Sequence, residues 1–163
     1  MPPPKSFIVG HLRKACMILC SPGFINLSCP GRIATVLNRL PMRILIIDES
    51  SESRAALAGL LRARWPEAQV DEWDPRRHGN PADAIARGRY SAVLLDSRPA
   101  GEDGIRWVEE MRKRPQAPPV VLIADHGDTH VAIQAMKAGA ADFLRRSGLT
   151  PERLARALEN ALR

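Results

Sequence analysis

Cysteine is scarce in this chain of 163 residues, and acidic residues are missing from its first 41 positions. The same stretch holds five basic residues and every cysteine of the chain, namely Cys16, Cys20 and Cys29. Neither the number nor the spacing of these cysteines fits a disulfide framework or a zinc site. The chain also lacks a long hydrophobic run: the apolar segment at residues 15–20 is far too short to span a bilayer, and we expect no membrane insertion.

Residues 1–41 also lack sustained periodicity and carry scattered proline and glycine. We therefore interpret residues 1–41 as an N-terminal extension, either a disordered tail or a misassigned start upstream of Met42. Residues 42–163 hold the other 19 of the 24 basic residues and all 18 acids, so this part has a net charge of only +1. A nearly neutral domain has little long-range attraction for a phosphate backbone, and we predict no direct binding to nucleic acid.

From Met42 onwards, short apolar runs alternate with stretches of helical periodicity. Five β-α pairs are predicted, with strands at residues 43–47, 69–73, 92–95, 120–123 and 142–144. Ser51 is the expected N-cap of the first helix, Asp128 that of the fourth, and Thr150-Pro151 opens the last. Such alternation predicts the α/β class, with a five-stranded, doubly wound parallel sheet.

Acidic residues stand where two of these strands end. Asp48 and Glu49 follow the first strand, and Asp96 follows the third. In doubly wound sheets, ligands bind outside the carboxyl ends of the strands, so these carboxylates converge if the two strands are neighbours. Close like charges require either a protonated carboxyl or a hard divalent cation, and oxygen-only ligation is what Mg²⁺ prefers. Asp48 or Glu49 alone is equally compatible with an ordinary loop that begins near a helix N-terminus.

Three segments together resemble a response regulator receiver domain. They are Ile46-Ile-Asp-Glu49, Val93-Leu-Leu-Asp-Ser-Arg-Pro99 with Asp103-Gly104, and Met136-Lys-Ala-Gly-Ala140 with Asp142-Phe-Leu144. The resemblance covers residues 42–163 and implies a flavodoxin-like receiver fold in a cytoplasmic two-component system. It also implies a non-enzymatic signalling role in a phosphorelay.

The resemblance implies a role for each residue of the acidic site. Asp96 would be the phosphoacceptor of this phosphoprotein, with Asp48, Glu49, Asp96 and the backbone carbonyl of Arg98 holding Mg²⁺. The donor would be a sensor histidine kinase or a phosphotransfer protein. The recipient of the signal would be an effector protein or an output domain absent from this chain, and a homodimer is left open.

Three positions depart from the family pattern. Ala124 replaces the Thr or Ser that usually binds the phosphoryl group, and Arg146 and Ser147 replace the usual Lys-Pro pair. Arg145 competes with Arg146 for the role of the lysine. Phe143 matches the aromatic switch position without a phenolic hydroxyl, and an ordinary core aromatic is an equal interpretation.

Four functions compete on this sequence. A working receiver is the first, and a degenerate receiver that acts as a phosphorylation-independent protein-interaction module is the alternative. An FMN module is suggested by Ser50, Ser51 and Ser53, but the acids at residues 48 and 49 would repel its phosphate. A haloacid-dehalogenase-like hydrolase would also use a nucleophilic aspartate, yet the first strand lacks its Asp-x-Asp pattern.

Overall fold

The computed structural model describes residues 42–125 and 129–163. The chain divides into two units, Met1–Arg39 and Leu40–Arg163, and every described residue lies in the second. The extension assigned to residues 1–41 and the N-cap expected at Asp128 therefore lie outside the described residues. None of the helices in the described ranges is long and apolar enough to cross a membrane.

Five parallel strands form one sheet in the order β2-β1-β3-β4-β5. They are β1 (Arg43–Ile47), β2 (Gln69–Trp73), β3 (Ala92–Asp96), β4 (Val120–Ala124) and β5 (Asp142–Arg145). The predicted α/β class and the five-stranded parallel sheet are thus confirmed, and β2 lies at an edge of the sheet. The order reverses next to β1, which makes β1 and β3 neighbours and joins them in register from Ile44 opposite Ala92.

Six helices connect and cover these strands in the described part of the chain. They are α1 (Ser51–Arg64), α2 (Pro75–His78), α3 (Ala82–Gly88), α4 (Gly104–Arg112), α5 (Thr129–Ala138) and α6 (Pro151–Ala161), with a short 3-10 turn at Pro99–Gly101. Helix α2 was not predicted. Its signal was Asp74-Pro75, since the Asp74 side chain accepts the Arg76 N–H at 3.0 Å and proline stands at the first helical position.

The prediction of Ser51 as N-cap was wrong by one residue. Ser50 has the extended backbone of an N-cap, and its hydroxyl accepts the Ser53 N–H at 3.2 Å. Ser51 is instead the first residue of α1. By residue type alone, the hydroxyl of either serine could accept a free N–H of the first helical turn. The choice between them depends on where the backbone turns after β1. The prediction of Thr150 as the cap of α6 is confirmed.

Two apolar layers pack on the two faces of the sheet. One layer holds the buried leucines of α1 and α6 against Ile44, Ile46 and Leu94. The other holds Trp107, Val108 and Met111 of α4 against the opposite faces of β1, β3 and β4. Each fully buried aliphatic side chain contributes about 1.5–3 kcal/mol from removal of apolar surface from water. The rigid sheet between the two layers therefore fixes the positions of its strand ends.

Candidate functional site

Charged side chains gather at the carboxyl ends of four adjacent strands. Asp48 follows β1, Asp96 ends β3, Asp125 follows β4, and Arg146 follows β5. Because β1 and β3 are hydrogen-bonded neighbours, the convergence expected of Asp48 and Asp96 is confirmed. The crevice has a volume of about 380 Å³ and is lined by Glu49, Arg76, Asp96, Ser97, Arg98, Gly101 and Asp125.

Arg146 lies at the centre of this cluster. Its Nη2 donates to Asp48 Oδ2 at 2.8 Å and to Asp96 Oδ1 at 3.1 Å. Its Nε donates to Asp125 and its Nη1 donates to the hydroxyl of Ser53. The backbone N–H of Arg146 also donates to the carbonyl of Ala124 at 2.8 Å, which fixes the backbone position from which the side chain extends. The guanidinium therefore bridges groups from four segments of the chain.

Arg145, which competed with Arg146 in the sequence, is exposed and lies opposite Ala124 in the β4–β5 register. Within the described residues it forms no ion pair. Successive residues of a strand point to opposite sides, so only one of the two arginines reaches the strand-end cluster. That arginine is Arg146.

Asp48 is the buried acid of the site, with 3% of its surface exposed. Its Oδ1 accepts the Ser50 N–H at 2.8 Å, and its Oδ2 accepts the Ser53 hydroxyl at 2.6 Å in addition to Arg146. A buried carboxylate is tolerated only when hydrogen bonds and an opposite charge compensate its desolvation. Both kinds of compensation are present at Asp48.

Asp96 has fewer compensating partners. Its Oδ2 accepts the Arg98 N–H at 3.2 Å, and its Oδ1 accepts from Arg146. Burial raises the pKa of the Asp96 carboxyl and the negative charge of Asp48 raises it further, while the Arg98 N–H and Arg146 act in the opposite sense without cancelling the shift. Asp96 is therefore a carboxylate whose ionised form is destabilised by its surroundings, as is common for reactive groups.

The pKa of Arg146 shows the reciprocal effect. Burial lowers it, but the charges of Asp48 and Asp125 outweigh burial and raise the pKa of the guanidinium above its ordinary value. Arg146 is therefore a permanent positive charge inside an acidic cluster.

Glu49 and Arg98, the two other predicted metal-site residues, lie at the edge of the crevice. The Glu49 carboxylate pairs with Arg76 Nε at 2.7 Å. The backbone carbonyl of Arg98 accepts the Gly101 N–H at 3.1 Å within the 3-10 turn. Both oxygens therefore already have partners in this arrangement.

The predicted metal-site residues offer only oxygen ligands. Carboxylates and a backbone carbonyl are the ligand types that Mg²⁺ prefers. In the described ranges, no group of three or more His, Cys, Asp or Glu side chains is arranged to hold a metal ion. The guanidinium of Arg146 instead neutralises Asp48 and Asp96. A metal ion at these two acids would have to replace that contact.

The apolar residues Ala124 and Phe143 stand at the end of β4 and in β5, next to the charged cluster. Ala124 is completely buried at the end of β4, and it presents a methyl group where a hydroxyl was expected in the family. Phe143 is half-buried and packs on the α4 side of the core. Its contacts agree with the core interpretation, and its role as a switch stays a prediction.

The loop after β3 depends on Gly104. A Cβ at this position would lie 2.7 Å from the carbonyl oxygen of Asp96 and 2.8 Å from that of Ser97. The Gly104 N–H donates to the Ser97 carbonyl at 2.9 Å, and Asp103 caps α4 by accepting the Ile105 N–H. This close approach holds the backbone that presents Asp96.

Sequence reasoning assigned no role at the site to Asp125 or Arg76, and it considered Ser53 only for the FMN alternative. Asp125 had a usable signal, since it lies two residues after the end of the predicted fourth strand. Ser53 and Arg76 each lie in the first turn of the helix after a predicted strand, but their contacts with Arg146 and Glu49 depend on the tertiary structure.

The fold agrees with comparisons to known proteins. Residues 44–159 match the response regulator receiver domain family. The chain is 32% identical over 110 residues to the cyclic di-GMP phosphodiesterase response regulator RpfG of Xanthomonas campestris pv. campestris, covering 64% of this chain and 28% of that protein. It is 35% identical over 81 residues to the transcriptional regulatory protein FixJ of Bradyrhizobium diazoefficiens, covering 50% of this chain and 39% of that one.

Solved structures give the same result for the fold. A response regulator receiver domain protein from Clostridium thermocellum superposes with a TM-score of 0.64 at 26% identity, covering 74% of this chain and 94% of that one. The chain thus spans well under half the length of the curated relatives above and nearly all of an isolated receiver structure. Since the family match extends over most of the sequence, this chain belongs to the response regulator receiver domain family of two-component signalling.

Proposed function

We propose that this domain accepts a phosphoryl group on Asp96 from a phosphohistidine of a sensor kinase or phosphotransfer protein. The observation that carries the proposal is the position of Asp96. It ends a central strand beside a second carboxylate and a cation, in an open crevice, with its pKa raised by burial and by Asp48. Receiver domains are generally non-enzymatic signalling modules of the cytoplasm, and we propose the same for this one.

In the proposed reaction, a carboxylate oxygen of Asp96 attacks phosphorus in line. The new P–O bond forms as the P–N bond to the donor imidazole breaks, and the departing imidazole nitrogen takes up a proton. Arg146 is placed to pair with a phosphoryl oxygen, because its Nη2 already reaches Asp96 Oδ1. A guanidinium presents a planar fork to such oxygens, whereas a lysine offers a single point charge.

Receiver domains generally bind Mg²⁺ at this site. Here Asp48, Asp96, Glu49 and the Arg98 carbonyl would hold the ion, which supplies positive charge that offsets the carboxylates and the incoming phosphoryl group. The signal would then pass by protein–protein contact to an effector, or to an output domain in a longer protein. A homodimer is a further proposal.

The test is the intact mass of the protein after incubation with Mg²⁺ and acetyl phosphate. Wild type is expected to gain the mass of one phosphoryl group, and Asp96→Asn is expected to gain none. Asp83→Asn, which alters an exposed carboxylate of α3, is the matched control and should behave as wild type. A wild type that stays unmodified with acetyl phosphate and with phosphoramidate contradicts the proposal.

The second candidate is a degenerate receiver that binds its partner without phosphorylation. Arg146 favours it, because the guanidinium already neutralises the two acids that a metal ion would otherwise bind. Ala124 and Ser147 favour it as well, since the hydroxyl and the proline of the family pattern are missing. Under this candidate, a phosphoryl analogue with Mg²⁺ leaves the amide spectrum of the protein unchanged.

A further inference from the structure

All three nitrogens of the Arg146 guanidinium donate hydrogen bonds. Nε donates to Asp125, Nη1 to Ser53, and Nη2 to both Asp48 and Asp96. Arginine can serve several acceptors at once because its donors lie in one rigid plane. The side chain is thus held from several directions rather than by one exposed ion pair.

Arg146 binds the carboxylate oxygens of Asp48 and Asp96 that accept no backbone N–H, and Asp48 Oδ2 also accepts the Ser53 hydroxyl. Asp48 Oδ1 is used by the Ser50 N–H, and Asp96 Oδ2 is used by the Arg98 N–H. The other oxygen of each acid accepts from Nη2 of Arg146. A divalent cation that bridges the two acids needs these same two oxygens.

Asp125 holds the guanidinium of Arg146 from a further side. It lies directly after β4, and its carboxylate accepts from Nε, which shares one edge of the guanidinium with the Nη2 that donates to Asp48 and Asp96. Its own side chain is 65% exposed, so it serves as an anchor at the mouth of the crevice rather than as a buried charge. Asp125 is in this sense a positioning residue for Arg146.

We propose that Arg146, held in place by Asp125, is a built-in competitor of the divalent cation at Asp48 and Asp96. Binding of Mg²⁺ then requires Arg146 to withdraw, which couples occupancy of the metal site to movement of the chain after β5. The proposal rests on the metal site of the proposed function. It concerns the unphosphorylated protein and does not need the phosphoryl transfer to occur.

The competition depends on the shape of arginine as well as on its charge. A lysine at residue 146 keeps the positive charge, but its single ammonium cannot hold Asp125, Ser53 and both site acids in the same planar fork. At least one charge-assisted hydrogen bond of the metal-free state is then lost. Such a bond is worth about 1.5–3 kcal/mol, which corresponds to about a tenfold change in affinity or more.

The test is calorimetric titration of the full chain with MgCl₂ alone, without a phosphodonor. Arg146→Lys is expected to bind Mg²⁺ about tenfold more tightly than wild type. Arg145→Lys is the matched control, since this exposed neighbour ends β5 and forms no ion pair in the described ranges, and its affinity should equal that of wild type. Equal or weaker binding by Arg146→Lys overturns the proposal, as does the absence of Mg²⁺ binding in both proteins.

A second measurement uses wild type alone, so its result does not depend on whether a variant folds normally. In wild type, the Nε–Hε resonance of Arg146 should shift during the MgCl₂ titration, with the same midpoint as the calorimetric signal. A resonance that stays fixed while Mg²⁺ binds overturns the proposal. Failure of the phosphorylation assay would leave both results standing, because neither uses a phosphodonor.

Discussion

Asp96→Asn is expected to make the domain more stable at neutral pH, because the ionised carboxylate is unfavourable where it stands. Burial and the charge of Asp48 raise the pKa of Asp96, and the Arg98 N–H and Arg146 only partly offset them. When the pKa of a carboxyl is higher in the folded than in the unfolded state, ionisation of that carboxyl lowers the free energy of unfolding. An amide at the same position removes that cost and retains a carbonyl oxygen for the Arg98 N–H.

The size of the effect follows from the distances. Asp48 Oδ2 and Asp96 Oδ1 accept from one nitrogen at 2.8 and 3.1 Å, so they lie no more than about 6 Å apart. Two unit charges at about 6 Å repel by about 0.7 kcal/mol in water and by about 3 kcal/mol at an effective dielectric constant of about 20. Since Asp96→Asn also removes the attraction to Arg146, we expect a net gain of about 1 kcal/mol, the usual scale for such functional-site changes.

The sign of the pH dependence gives a sharper check. Below about pH 3.9, the ordinary pKa of aspartate, the carboxyl is protonated in both states and the cost is absent. The cost appears as the pH rises through the raised folded pKa, because the folded state then binds more protons than the unfolded one. The advantage of Asp96→Asn should therefore be full at about pH 8 and smaller at about pH 4.

Urea unfolding of both proteins at the two pH values, without Mg²⁺, measures this difference. Asp83→Asn serves as control, since it neutralises an exposed carboxylate whose ion-pair partner, Arg114, is not part of the site. The reasoning is refuted if Asp96→Asn is no more stable than wild type at about pH 8, or if its advantage grows as the pH falls.

Two further changes test the loops around the site. Ala124→Thr should enlarge the amide chemical-shift response to beryllium fluoride with Mg²⁺ around Phe143, because a hydrogen bond to a charged group is worth about 1.5–3 kcal/mol. Ala124→Val, which adds bulk without a hydroxyl, should not, and a Thr variant that binds the analogue with no larger response contradicts the idea. Gly104→Ala should lower the free energy of unfolding by about 1–3 kcal/mol, since its Cβ would meet two backbone carbonyls. Gly59→Ala, in α1 with open space around it, should be neutral or stabilising by up to about 1 kcal/mol in the same urea titration.

Much of the fold could be predicted because its signals are local. The apolar runs at β1, β3 and β4 bury every core position on both faces of the sheet, as a parallel sheet covered by helices requires. The cap at Thr150 followed from one side chain and the proline after it. The errors were also local: the cap at Ser50 rather than Ser51 and the short helix α2 each depend on one turn of backbone.

The sequence by itself determined the class of the fold, the positions of Asp48 and Asp96 at strand ends, and the absence of a hydroxyl at Ala124, since each follows from residue type and periodicity. Only the tertiary structure decided which partners these acids have. The choice of Arg146 over Arg145, its pairing with Asp125, and the attachment of Glu49 to Arg76 all join residues distant in sequence. Long side chains from different strands reach one another only after the sheet has set the distances between strand ends, so no local pattern encodes these contacts.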